Sequence, residues 1–115
     1  MKDRVRFYQL ENDILITEEE QDLKEIIPNT IDASFEKHIP VWEKEGDHLI
    51  VRIGEIPHPM EENHYIRSVI QITHDDIRVN VLKPNEEPKT IFPYVEGCHI
   101  YAYCNLHGIW KAEVK

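Results

Sequence analysis

"HYIRSVIQIT", residues 64–73, decides the fold. Ile66, Val69, Ile70, Ile72 and Thr73 are β-branched. Such side chains lose rotamer freedom in a helix and pack well on a pleated sheet, so the run reads as a long strand. The signal continues outward in both directions. "HLIVRIG" (48–54) closes at Gly54, and "DIRVNVL" (76–82) alternates apolar and polar residues. "KTIFPY" (89–94) and "CHIYAYC" (98–104) follow. The spacers "HDD", "KPNEEP" and "VEG" carry turn chemistry. Several short strands with such spacers predict an all-β sandwich or barrel.

Ahead of this block, "RVRFYQL" and "DILIT" surround "END" and predict a hairpin. "EEEQDLKEII" (18–27) places Leu23, Ile26 and Ile27 at helical spacing behind an acidic start, which predicts a short helix. "PNT" breaks the pattern, so a boundary is expected near residue 28.

The bulk properties bound the function. The 115 residues suit one domain with a small appendage. The net charge is −9 with no basic stripe, which argues against nucleic acid as a partner. An acidic chain also repels small anions, so an anionic substrate would need local positive charge. No apolar run approaches a membrane span, and "MKDRVRFYQL" has no apolar stretch of signal-peptide type, so no membrane partner and a cytoplasmic location are expected. Cys98 and Cys104 have only each other as disulfide partners, and the strand between them spans roughly 20 Å. Cys98 reads as a small buried residue, and Cys104 needs another explanation.

Seven histidines are many for this length. His48, His74 and His99 read as surface or turn residues, His99 on the strand face opposite Cys98. His38 ("FEKHIPV"), His58 ("IPHPM"), His64 ("EENHYI") and His107 ("CNLHG") each lie at a strand edge or in a loop. Prolines on both sides stiffen the backbone at His58, which suits a preorganised ligand. Cys104 and His107 form a tight chelating step, and Gly108 permits a sharp turn. Four imidazoles and one thiolate exceed the four ligands of a structural zinc site, and suit iron, copper or zinc. Five ligands leave one position open, which on a redox metal implies small-molecule chemistry. A cupin reading rests on "HPMEE", a His-x-x-Glu step, but the close His-x-His pair is missing.

"EKHIPV", "PHPMEENHYI" and "YCNLHGIWKAE", in that order, resemble the signature segments of the superoxide reductase (desulfoferrodoxin, neelaredoxin) family. The resemblance covers residues 29–115 well and the first 28 more loosely. It implies an immunoglobulin-like sandwich of seven strands with a small N-terminal β-rich appendage. It implies one mononuclear non-haem iron per chain, with His38, His58, His64 and His107 in a plane and Cys104 as axial thiolate. Lys37 would sit beside the open position, drawing in superoxide and helping to deliver protons. Glu36 would occupy that position once the iron is oxidised. The implied reaction is one-electron reduction of superoxide to hydrogen peroxide without release of dioxygen, with rubredoxin or a similar donor restoring the iron.

The chain departs from the two-iron members of that family. Leu10 and Asp13 stand where the first two cysteines of a second iron site would be, and no other cysteine precedes Cys98. Residues 1–28 are therefore expected to be a vestigial, metal-free domain, acting as a contact in a homodimer, and residues 29–115 the iron domain. Two readings of other classes compete: a binding or redox-sensing module using the same ligands without turnover, and a β-sandwich interaction domain whose histidines are incidental.

Overall fold

The computed structural model describes residues 3–31 and 33–115. Their architecture is all-β, with one helical turn. Seven strands follow residue 39: β4 (Pro40–Glu45), β5 (His48–Ile53), β6 (Ile66–Ile72), β7 (Ile77–Val81), β8 (Lys89–Pro93), β9 (His99–Cys104) and β10 (Gly108–Glu113). They form two antiparallel sheets, ordered β10-β9-β6-β7 and β4-β5-β8. The strands β1 (Arg6–Gln9), β2 (Ile14–Thr17) and β3 (Glu25–Ile26) make a third small sheet, ordered β2-β1-β3. The seven-stranded sandwich and its β-rich appendage agree with the expectation. The sequence runs marked five of the seven strands, and β4 and β10 complete the sheets.

β9 shows how the layers are built. Ile100, Ala102 and Cys104 point into the sandwich, among Leu49, Val51, Ile53, Val69 and Phe92. Tyr101 and Tyr103 point the other way and meet Phe7, Ile26, Ile70, Ile72 and Ile109 in a second core. Successive side chains alternate faces, so a strand buried along its whole length needs a cover on each side. The N-terminal sheet supplies the second cover, with Phe7 seated 4.7 Å from the Tyr101 ring. Each large apolar side chain withdrawn from water there contributes roughly 1.5–3 kcal/mol.

Two expectations give way to this second core. The helix over 18–27 does not form. Ile26 is buried and paired through β3 to Phe7, whereas Leu23 and Ile27 are about half exposed. A helix would need all three on one face, and the pairing with β1 wins over local spacing. His99, expected at the surface, is buried on the outer face of β9, its Nδ1 3.4 Å from the Tyr101 hydroxyl. Its Nε2 lies 4.0 Å from Asp3 and 3.8 Å from Glu113, at opposite ends of the chain. His48 and His74 are exposed as expected.

Candidate metal centre

Three loops and one helical turn meet at one end of the sandwich. His38 ends the single turn α1 (Phe35–His38). Its Nδ1–H donates to the Ser34 carbonyl at 2.6 Å, which leaves the Nε2 lone pair facing inward. His58 is held the same way, its Nδ1–H donating to the Pro59 carbonyl at 2.7 Å. Nε2 of His58 and Nε2 of His64 are both buried with no hydrogen-bond partner. Buried polar atoms left unpaired are costly, and a pair of them aimed at one place points to a missing ligand.

The four rings form a closed cycle. His38 lies 4.6 Å from His58, His58 4.8 Å from His64, His64 5.1 Å from His107, and His107 5.0 Å from His38, each pair steeply inclined. The diagonal, His38 to His64, is 6.4 Å. Cys104, fully buried at the end of β9, belongs to the same group. The donor atoms of His38, His58, His64 and Cys104 all lie within 4.8 Å of one another. His107 adjoins this group, with Nδ1 3.1 Å from His38 Nε2 and 3.9 Å from Cys104 Sγ. Donors bound at about 2.0–2.3 Å to one first-row ion stand roughly 3 Å apart when adjacent and about 4.3 Å apart when opposite. The residues present fit one such ion.

The electrostatics point the same way. Burial holds His38 and His64 below the ordinary imidazole range, and His58 down to about 4. These side chains are kept neutral, as ligation requires. Burial pushes the Cys104 thiol up, and the Leu106 and His107 amides partly offset this. Without a metal that thiol is protonated, so a cation would have to displace the proton.

Glu36 and Lys37 occupy the exposed side of α1. Lys37 is near enough for its charge to lower both His38 and His64. The turn is docked through its backbone. The Ile56 N–H donates to the Glu36 carbonyl at 3.2 Å, and the Gly54 N–H to the Ile39 carbonyl at 3.0 Å. Gly54 has φ +87°, and a Cβ there would lie 2.7 Å from the Lys37 carbonyl and 2.8 Å from that of Glu36. Only glycine lets the two segments approach this closely.

Sequence reasoning missed three supports. Trp110, fully buried, stacks on His38 at 4.7 Å and donates from Nε1 to the His107 carbonyl at 3.0 Å. Asn105 ties the Cys104–His107 loop to the His64 loop, accepting from the Tyr65 N–H at 2.9 Å and donating to the Asn63 carbonyl at 3.1 Å. Gly54 is the third. Trp110 and Asn105 adjoin Cys104 and His107 in sequence, but nothing local says which ring or loop they touch.

Known proteins share this architecture. The desulfoferrodoxin family model matches residues 30–113. A desulfoferrodoxin from Syntrophotalea carbinolica is 43% identical over 86 residues, covering 74% of this chain and 68% of the relative. A superoxide reductase from Pyrococcus horikoshii is 34% identical over 113 residues, covering 81% of this chain and 97% of the relative. Among solved structures, the superoxide reductase from Treponema pallidum superposes with a TM-score of 0.72 at 30% identity, over 92% of this chain and 84% of the other. A superoxide reductase (1Fe-SOR) from Giardia intestinalis gives 0.62 at 29% identity, over 70% of this chain and 98% of the other.

Proposed function

This chain belongs to the desulfoferrodoxin family, and from that premise we propose how its site works as a superoxide reductase. The observation that carries the reading is the closed cycle of four imidazoles with a buried thiol among their donor atoms. We assign His38, His58, His64, His107 and Cys104 as the ligands of one mononuclear iron. The chemistry a bound iron supplies here is delivery of one electron to superoxide, which with two protons gives hydrogen peroxide.

The chain's own residues do the rest. Ser34 and Pro59 carbonyls fix the tautomers of His38 and His58, so both present Nε2. Trp110 holds the His38 ring in orientation by stacking on it. Cys104, buried and served by two backbone amides, lies inside, while His64 and His107 remain half open to solvent. Superoxide would therefore enter past His64 and His107. Lys37 is assigned to draw the anion in against the overall negative charge and to help deliver protons. Glu36, its neighbour, is assigned to move toward the site as peroxide leaves.

Rubredoxin or a similar one-electron carrier is the proposed donor, on the family resemblance. Residues 1–28 are proposed to be the vestigial domain and residues 29–115 the iron domain. A homodimer is supported by β7, which exposes Ile77, Val79 and Val81 in a row on the face that the N-terminal sheet covers elsewhere. No helix among the described residues is long and apolar enough to cross a membrane. A cytoplasmic location is proposed on the reading of the sequence alone.

The test is a single pulse of superoxide onto the anaerobic, ferrous protein, with both products measured. Peroxide without dioxygen, together with a thiolate-to-iron absorption band, supports the reading. Dioxygen formed alongside peroxide, or no reaction above the spontaneous background, refutes it.

A further inference from the structure

β10 is an edge strand of the four-stranded sheet, and it begins directly after His107. An edge leaves N–H and C=O groups without ladder partners. Asn29 supplies both. Its backbone N–H donates to the Ile109 carbonyl at 2.9 Å, and its Oδ1 accepts from the Lys111 N–H at 2.9 Å. It does so at φ 62°, a left-handed conformation that asparagine tolerates better than most residues. Beside it, the chain closes over Gly108. A Cβ at that position would meet Ile31 at 3.2 Å and Ile26 at 3.5 Å. Ile26 is in turn anchored in the second core.

Behind the ligand loop itself the packing is open. A cavity of about 290 Å³ separates Lys24, Ile27 and Thr30 from Cys104, Asn105 and Leu106. The loop is thus held on this side at its β10 end and not by a filled interior. Two further ties brace the same sheet. Asp13 pairs with Arg67 at 3.1 Å, and Gln9 donates to the Tyr103 hydroxyl at 3.3 Å.

We infer that Asn29, the residue directly after the N-terminal unit, is a positioning residue for the iron site, which clamps the edge of β10 and sets the placement of the Cys104–His107 loop. This rests on reading Cys104 and His107 as ligands.

Two variants and two readouts test it. Asn29→Gly keeps the left-handed backbone and its N–H but deletes Oδ1, and Asn29→Asp restores an acceptor. In the metal-free protein, amide exchange at residues 106–109 is expected to rise about three- to tenfold in Asn29→Gly, the factor for one lost hydrogen bond, and to return toward normal in Asn29→Asp. With cobalt(II) loaded as a probe, Asn29→Gly should shift the thiolate-to-metal band and release the ion to a chelator faster by a similar factor. Faster exchange confined to Lys111, with residues 106–109, the band and the release rate unchanged, would reduce Asn29 to an edge cap and overturn the inference. If the parent protein shows no thiolate band at all, the ligand assignment has failed, and the exchange arm still judges the clamp.

Discussion

Replacing Gly54 by alanine tests whether close backbone approach holds the site together. Gly54 and Gly46 both have left-handed backbones, with φ +87° and +59°. An alanine Cβ at position 46 would meet nothing within 4 Å, whereas at 54 it would collide with the Ile56 carbonyl and lie under 3 Å from two carbonyls of α1. Gly46→Ala should therefore cost only the left-handed strain, about 1–2 kcal/mol. Gly54→Ala carries that strain and also pushes α1 away from residues 53–58. The Gly54–Ile39 and Ile56–Glu36 backbone bonds would be lost, at about 1 kcal/mol each. The total is about 3–4 kcal/mol, or a fall in Tm of roughly 12–16 °C at this chain length. Because α1 carries Glu36, Lys37 and His38, iron affinity should fall with it. The assay is urea unfolding of both metal-free variants, followed by competition for iron with a chelator. If Gly54→Ala costs no more than Gly46→Ala, or keeps full iron affinity, the docking argument is wrong.

Lys37→Ala should slow the reaction with superoxide by about tenfold at low salt and flatten its salt dependence, with iron content unchanged; stopped-flow rates at two ionic strengths check both. The metal-free protein should lose stability in acid. His58 has a folded pKa of about 4 against 6.5 unfolded, so between these values the unfolded chain binds more protons. Stability is then full above pH 6.5 and falls as pH drops toward 4, by up to about 3 kcal/mol. His38 and His64 shift in the same direction. Unfolding curves at pH 7 and 4.5 for the parent and His58→Gln measure this, and an equal slope in both would remove His58 as the cause. Trp110→Leu should cost about 3–4 kcal/mol through the lost ring and the lost bond to His107. It should also speed iron release, which a purely structural tryptophan would not do.

Much of this protein was legible in adjacent residues. Alternation and β-branching mark β5 to β9, because facing and packing in a strand repeat every second residue. The five proposed ligands were legible too, since each sits in a short motif that can be read without a fold. Where sequence reading failed, the deciding partner was distant. Residues 18–27 have helical spacing, yet Ile26 pairs with Phe7 and the helix does not form. His99 reads as a surface residue, yet it is buried, with Asp3 and Glu113 4.0 and 3.8 Å from its Nε2.

The ring geometry belongs with those failures. No local feature says that His38, His58, His64 and His107 form a cycle, or that Trp110 backs the first of them. Around that arrangement stand a register shift in β6 beside Ile66, the partner of Cys104, and the bare Cα of Gly54 packed against α1. The sequence by itself thus determined that β5 to β9 form and which side chains are available for a metal, because those follow from neighbours along the chain. Which faces are covered, and where the donor atoms meet, only the tertiary structure decided, because burial and distance are set by residues that the chain keeps far apart.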